Sequence, residues 1–229
     1  MIAFEVRRST RRRKTVQVRV DRSIVTVAVP SKLSSSAVDD IVRKRADWIQ
    51  RQLAVQPVST AARQFISGET VPYLGRDVRI RIEPGDDTTV RVRMLRGSFT
   101  IEVPTTLVGD ERREAIGDAL EVWYRNRAAE RIPASVERWS AVTGHEPSRV
   151  LIRNQKRRWA TCGADGALRF NWRLVLAAPA LLDYVVIHEL AHLAVPNHSP
   201  AFWSEVKRWM PDHRKRRFQL RVAEHSMTR

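Results

Sequence analysis

Between Thr15 and Val20 the valines at 16, 18 and 20 alternate with polar residues, and an apolar run over residues 24–29 follows Asp21-Arg22-Ser23. A period of two broken by a short polar turn predicts a β-hairpin. Ser36-Ala37-Val38-Asp39 then reads as a helix start, because serine can cap free N–H groups and aspartate favours the positive helix end. Val38, Ile41, Val42, Trp48, Ile49 and Leu53 approximate one face and carry that helix to about Leu53. Residues 56–67 read as a connection, and residues 78–82, 89–94 and 98–103 as strands, with Gly97 in a turn. A long helical pattern runs from about Asp110 to Val142, disturbed at Pro133 and closed near Gly144. Residues 150–153, 157–161 and 168–174 are short strands, the last two joined through Asp165-Gly166, and Trp159 and Trp172 are expected in the core. The resulting fold class is α+β. A boundary near residue 105 separates a β-rich region of residues 1–105, with one helix, from a helical core of residues 106–229 with a short antiparallel sheet.

Composition narrows the class. The chain has 229 residues, 43% hydrophobic and 29% charged, which excludes a wholly disordered polymer. One Cys excludes an internal disulfide framework and any Cys-only zinc site, so Cys162 is expected as a small buried hydrophobe. The first residues lack the apolar stretch of a secretory signal, and no apolar run reaches bilayer-spanning length. The expectation is a soluble, cytoplasmic protein that engages no membrane.

Charge is placed unevenly. The net charge is +16, with the excess at the two ends, in Arg7, Arg8, Arg11, Arg12, Arg13 and Lys14 and again in Arg214, Lys215, Arg216 and Arg217. If folding unites these ends, they form a cationic surface attractive to phosphate, and nucleic acid or a nucleotide becomes a candidate partner.

The chemistry concentrates in one segment. His188-Glu189-Leu190-Ala191-His192 is an H-E-x-x-H sequence, expected by chance in about one chain in a hundred of this composition. Residues four apart on a helix share a face, so both imidazoles can meet one ion, and neutral imidazole suits Zn²⁺. Glu189 is then placed to polarise the water that the ion activates. Pro179 fits a first helical turn, and Leu181, Leu182, Val185, Val186, Leu190 and Leu193 make that helix largely buried. His198 lies six residues beyond His192, too far along a straight helix to share the ion. Pro196-Asn197 breaks the helix, however, and Ser199-Pro200 starts another running to about Met210, so His198 sits at a forced corner. Glu205 is the alternative third ligand. His213 and His225 are expected at the surface of a basic tail, and His145 in a loop.

At these residues the sequence resembles the YgjP-like metallopeptidases, and more distantly the SprT-like zinc proteases. The resemblance runs through Arg11-Arg12-Arg13-Lys14-Thr15, Asp47-Trp48-Ile49, Tyr73-Leu74-Gly75-Arg76 and Asn171-Trp172-Arg173-Leu174. It is strongest from Asp183 to Leu193 and in Asn197-His198-Ser199-Pro200-Ala201-Phe202-Trp203. It implies one Zn²⁺ on His188, His192 and His198, catalytic Glu189, and a zincin-like core behind a small β-rich region. The sequence departs from the pattern at Trp159-Ala160-Thr161-Cys162, where the family usually reads Trp-Gly-Ser-Cys. It departs again at Val195-Pro196, in place of a glycine that zincins with this histidine spacing often carry.

The reaction expected is hydrolysis of a protein or peptide substrate, with Glu189 moving the proton to the leaving amine. Arg173, Tyr184 and His213 are candidate stabilisers of the oxyanion, and one of the short strands can pair with an extended peptide at the cleft. Two alternatives share the site: a zinc-dependent nucleotide pyrophosphatase, and a nucleic-acid-binding protein with a non-catalytic zinc.

Overall fold

Valines at alternate positions draw strands β2 (Gln17–Asp21) and β3 (Ile24–Pro30) into an antiparallel hairpin, and β1 (Glu5–Ser9) lies parallel to β3 on its other side. This is a computed structural model, describing residues 2–10, 12, 15–21, 24–55, 63–85, 88–155 and 158–227. Arg22 and Ser23 of the expected turn, Arg11, Arg13 and Lys14 of the basic run, residues 56–62 and Arg157 lie outside the described residues. Val18, Val25, Val27 and Val29 form a small core with Val38, Val42 and Ile49. The helix expected as one piece is two, α1 (Ser35–Lys44) and α2 (Ala46–Val55), with Arg45 between them. The break leaves Ile49 buried in the same cluster as Val38 and Val42. The cap is Ser34, whose hydroxyl accepts from the Ala37 N–H, two residues earlier than the sequence suggests. Arg8 donates to the Ser31 carbonyl and Arg12 to Gln17, so part of the N-terminal charge holds this unit together.

The chain divides into two compact units, Met1–Arg63 and Gln64–Arg229. The division expected near residue 105 falls inside the second unit, because the strands before that point and the helices after it share one core. Those strands are β4 (Thr70–Tyr73), β5 (Arg76–Gly85), β6 (Arg91–Leu95) and β7 (Ser98–Pro104), in the order β4-β5-β7-β6. Helix α3 (Gly109–Thr143) runs through Pro133 without ending, since Ile116, Leu120, Tyr124, Ala128, Ile132 and Val136 keep one buried stripe across it. Gly144, with φ 74°, terminates it as expected.

The turn between β4 and β5 docks this sheet onto the segment that leads into the H-E-x-x-H helix. Leu74 and Gly75 both have positive φ, 52° and 75°, the two-residue conformation that suits a twisted hairpin. Their N–H groups donate to the carbonyls of Val175 and Leu176, each at 2.9 Å, in the 3-10 helix Trp172–Leu176. A Cβ on Gly75 would lie 2.8 Å from the Ala178 backbone. Gly75→Ala therefore combines a left-handed backbone penalty of about 1–2 kcal/mol with a displacement of this docking. Its thermal midpoint is expected about 2–8 °C lower; an unchanged midpoint in differential scanning would show that the turn does not brace the chain there.

The third sheet holds β8 (Arg149–Arg153), β9 (Ala160–Cys162) and β10 (Ala167–Asn171) in the order β8-β10-β9. It is mixed rather than antiparallel: the chain reverses before β9 and again at Asp165-Gly166, which returns β10 parallel to β8. The strand expected to reach residue 174 stops at Asn171, whose buried side chain accepts from the Arg173 N–H and donates to the carbonyls of Gln155 and Arg158. Three helices complete the unit, α4 (Pro179–Ala194), α5 (Pro200–Trp209) and α6 (His213–Met227). Among the described residues no helix is long and apolar enough to cross a membrane.

Candidate metal centre

Helix α4 is apolar on nearly every side. Leu181, Leu182, Val185, Val186, Ile187 and Leu190 are buried, and Asp183 ties the helix to α3 by accepting from Ser135 and Arg138 at 2.8 and 2.6 Å. That burial carries His188, Glu189 and His192 into the unit at fixed positions. The helix stops at Ala194, and the Val195 carbonyl accepts from Nδ1 of His192 at 3.1 Å. A proton held on Nδ1 leaves the His192 Nε2 lone pair free. Past Pro196, the Asn197 side chain accepts from the Ser199 N–H, and the Ser199 hydroxyl caps α5. This corner folds His198 back until its Nε2 lies 3.0 Å from Nε2 of His188.

The three imidazoles present ligand atoms that all lie within 4.8 Å of one another. Phe202, fully buried on α5, packs against each ring, with centroids 4.9, 4.4 and 4.8 Å from His188, His192 and His198. Burial, and then the neighbouring imidazoles, hold His188 down to about 3, so its ring stays neutral. Burial likewise lowers His192. Nδ1 of His188 is buried with no partner among the described residues, and Nε2 is the nitrogen it turns towards His198. Neutral, convergent and partly orphaned, these rings fit a divalent cation that accepts imidazole nitrogen. Glu189 is only 5% exposed, and burial pushes its carboxyl up to about 7, against the opposing pull of the Cys162 N–H and Arg158.

The family model for the YgjP-like, metallopeptidase domain matches residues 14–223. The chain belongs to the YgjP-like metallopeptidase family. No curated protein matches it. A solved structure, the metallopeptidase zymogen of Pyrococcus abyssi abylysin, is 26% identical over 41% of this chain and 92% of its own, with a TM-score of 0.36.

In this YgjP-like chain the cleft beside His188 and Glu189 encloses ≈ 270 Å³ and is walled by Trp159 and Ala160 on one side and Arg217, Leu220 and Arg221 of α6 on the other. Tyr184 lies within it, its ring centroid 6.0 Å from that of His188, and burial raises its hydroxyl. The other two expected stabilisers are elsewhere. Arg173 sits over the Trp172 ring at 4.3 Å and donates to Asn154, outside the cleft lining. His213 is buried rather than exposed, its Nδ1 bonded to the Met210 carbonyl and its ring stacked on Trp203, which itself stacks on His198. Glu205 is not with the histidines: it accepts from Trp209 at 2.9 Å and meets His145 Nε2 at 3.2 Å, which gives the supposed loop histidine a partner. The His225 side chain lies outside the described residues. Trp172 is buried as expected, whereas Trp159 is half-buried at the cleft.

Neither departure from the usual YgjP-like pattern strains the backbone. Ala160 does not have a positive φ, and Val195 has φ −131°. Sequence reasoning missed α6, and with it Arg217 and Arg221. The run Arg214-Lys215-Arg216-Arg217 conceals a helix face on which His213 and Leu220 are buried and Ala223 is partly buried.

Proposed function

We propose that this chain is a zinc-dependent metallopeptidase, with Glu189 as general base and then general acid. The observation that carries the reading is the meeting of His188, His192 and His198 beside a buried carboxyl at an open cleft. Zn²⁺ held by these imidazoles supplies Lewis-acid polarisation of a carbonyl and acidifies water. The remaining work falls to the chain itself. Glu189, raised towards neutrality by its burial, takes a proton from the attacking water and passes it to the leaving amine nitrogen. The Tyr184 hydroxyl, protonated and at the cleft, is the donor placed for the oxyanion.

Strand β9 supplies the means of holding a peptide. The Asn171 N–H donates to the Trp159 carbonyl and the Gly163 N–H to the Ala167 carbonyl, so the odd-numbered positions along β9 and its two flanks are the ones that face β10. In an antiparallel ladder the alternate residues then point their N–H and C=O groups away from the partner. Those residues are Ala160 and Cys162, and the Cys162 N–H is already directed at Glu189. Ala160 is therefore free to pair with an extended substrate by strand addition. This geometry favours a peptide over a nucleotide.

The test uses the full chain loaded with Zn²⁺, an unfolded protein substrate and a panel of nucleoside triphosphates. Proteolysis is expected, abolished by chelator and restored by Zn²⁺, without triphosphate hydrolysis. Chelator-sensitive triphosphate hydrolysis without proteolysis would replace the peptidase reading with the pyrophosphatase one.

A further inference from the structure

A second hollow of ≈ 440 Å³ opens between α5 and α6, and its rim is cationic. Lys207 of α5 and Arg214 and Arg217 of α6 line it, with Trp203 and His213 at their side. Several arginines elsewhere in this unit find carboxylates. Arg216 takes Asp212, Arg138 takes Asp183, and Arg149 and Arg169 share Asp165. Lys207, Arg214 and Arg217 form no such pair among the described residues. Three cations facing one hollow repel one another, and an anion entering it relieves that repulsion.

One of the three is held in place. The Arg217 guanidinium lies 4.8 Å over the Trp203 ring, and that ring stacks at 5.7 Å on His198. A guanidinium fixed on an aromatic face loses little freedom when it binds a planar carboxylate. Arg217 also borders the cleft that holds His188, Glu189 and Tyr184, so hollow and cleft share this wall.

Resting on the peptidase reading, we propose that Arg217, with Lys207 and Arg214, binds a side-chain carboxylate of the peptide close to the scissile bond, making this chain selective for acidic sequences. The cations are gathered around a hollow one side chain from the metal centre, not strung along a surface stripe. That arrangement suits one carboxylate beside a peptide better than the repeating phosphates of a nucleic acid.

Matched peptides carrying Glu or Gln at each position around the cleaved bond test the proposal with the Zn²⁺-loaded full chain. At one position Glu is expected to exceed Gln in kcat/KM by about tenfold, an advantage that shrinks with added salt. Arg217→Gln and Arg214→Gln should bring the ratio near one, while Arg217→Lys keeps part of it. Equal rates for Glu and Gln in the parent, or a ratio untouched by both substitutions, overturns the inference even though peptides are cut. If no peptide is cut, the peptidase reading fails, and binding decides the hollow separately. The full-length Glu189→Gln protein should hold a fluorescent Glu peptide about tenfold more tightly than its Gln counterpart. Equal affinities, or displacement of the Glu peptide by single-stranded DNA at lower concentration than by unlabelled peptide, would assign the cations otherwise.

Discussion

Glu189→Gln is expected to lower kcat by about 10²–10⁴-fold, the contribution typical of a positioned general acid–base, while metal content stays at one equivalent. Glutamine matches the carboxyl in size and still offers an oxygen to the Cys162 N–H, so the geometry around it survives. The proton carrier alone is removed. The fold should not suffer. Burial raises this carboxyl from 4.5 to about 7, so in the metal-free protein ionising it costs stability as pH rises through that interval, and the neutral amide escapes the cost. Turnover within a few-fold of the parent, with metal analysis unchanged, would remove Glu189 from the proton path.

The second large effect concerns the ion. His188→Ala is expected to weaken metal retention by at least about 100-fold, since it removes a ligand rather than a supporting partner. His198→Ala should act in the same direction. Glu205→Gln is the informative control: its carboxylate is engaged by Trp209 and His145, so the variant should keep its metal. Elemental analysis after dialysis against a weak chelator reads all three. Full occupancy in both histidine variants, or loss in Glu205→Gln, would redraw the ligand set.

The site was readable where local chemistry determined the backbone. Pro179, Pro196-Asn197 and Ser199-Pro200 punctuate the chain around α4 and α5, and they bring three histidines of unequal spacing together. Other features depended on distant contacts. The break at Arg45 has no proline or glycine to announce it, and β1 carries one apolar residue, Val6, in a strand exposed along most of its length. The long pattern across Pro133 was legible because the buried stripe of α3 outweighs the hydrogen bond a proline removes. The division at residue 105 followed a change of element type, yet Tyr73 and Phe99 pack against Trp123 and Tyr124 across it. Composition cannot reveal such packing. The cationic wall formed by α6 was hidden for a related reason, since arginines that look like a solvated run acquire a position only when Leu220 and His213 turn the helix towards the core.

The shortness of β9 limits how this protein can be inhibited. Ala160 is the one residue of its outward ladder that can offer both N–H and C=O, because Cys162 already directs its N–H to Glu189. A single N-methyl group on the inhibitor residue opposite Ala160 would remove the main-chain anchor, whereas methylation of either neighbour, whose amide faces the other way, would be tolerated. On the proposed strand pairing, peptidomimetics aimed at this cleft must leave the amide opposite Ala160 unsubstituted and can be stiffened at its two neighbours.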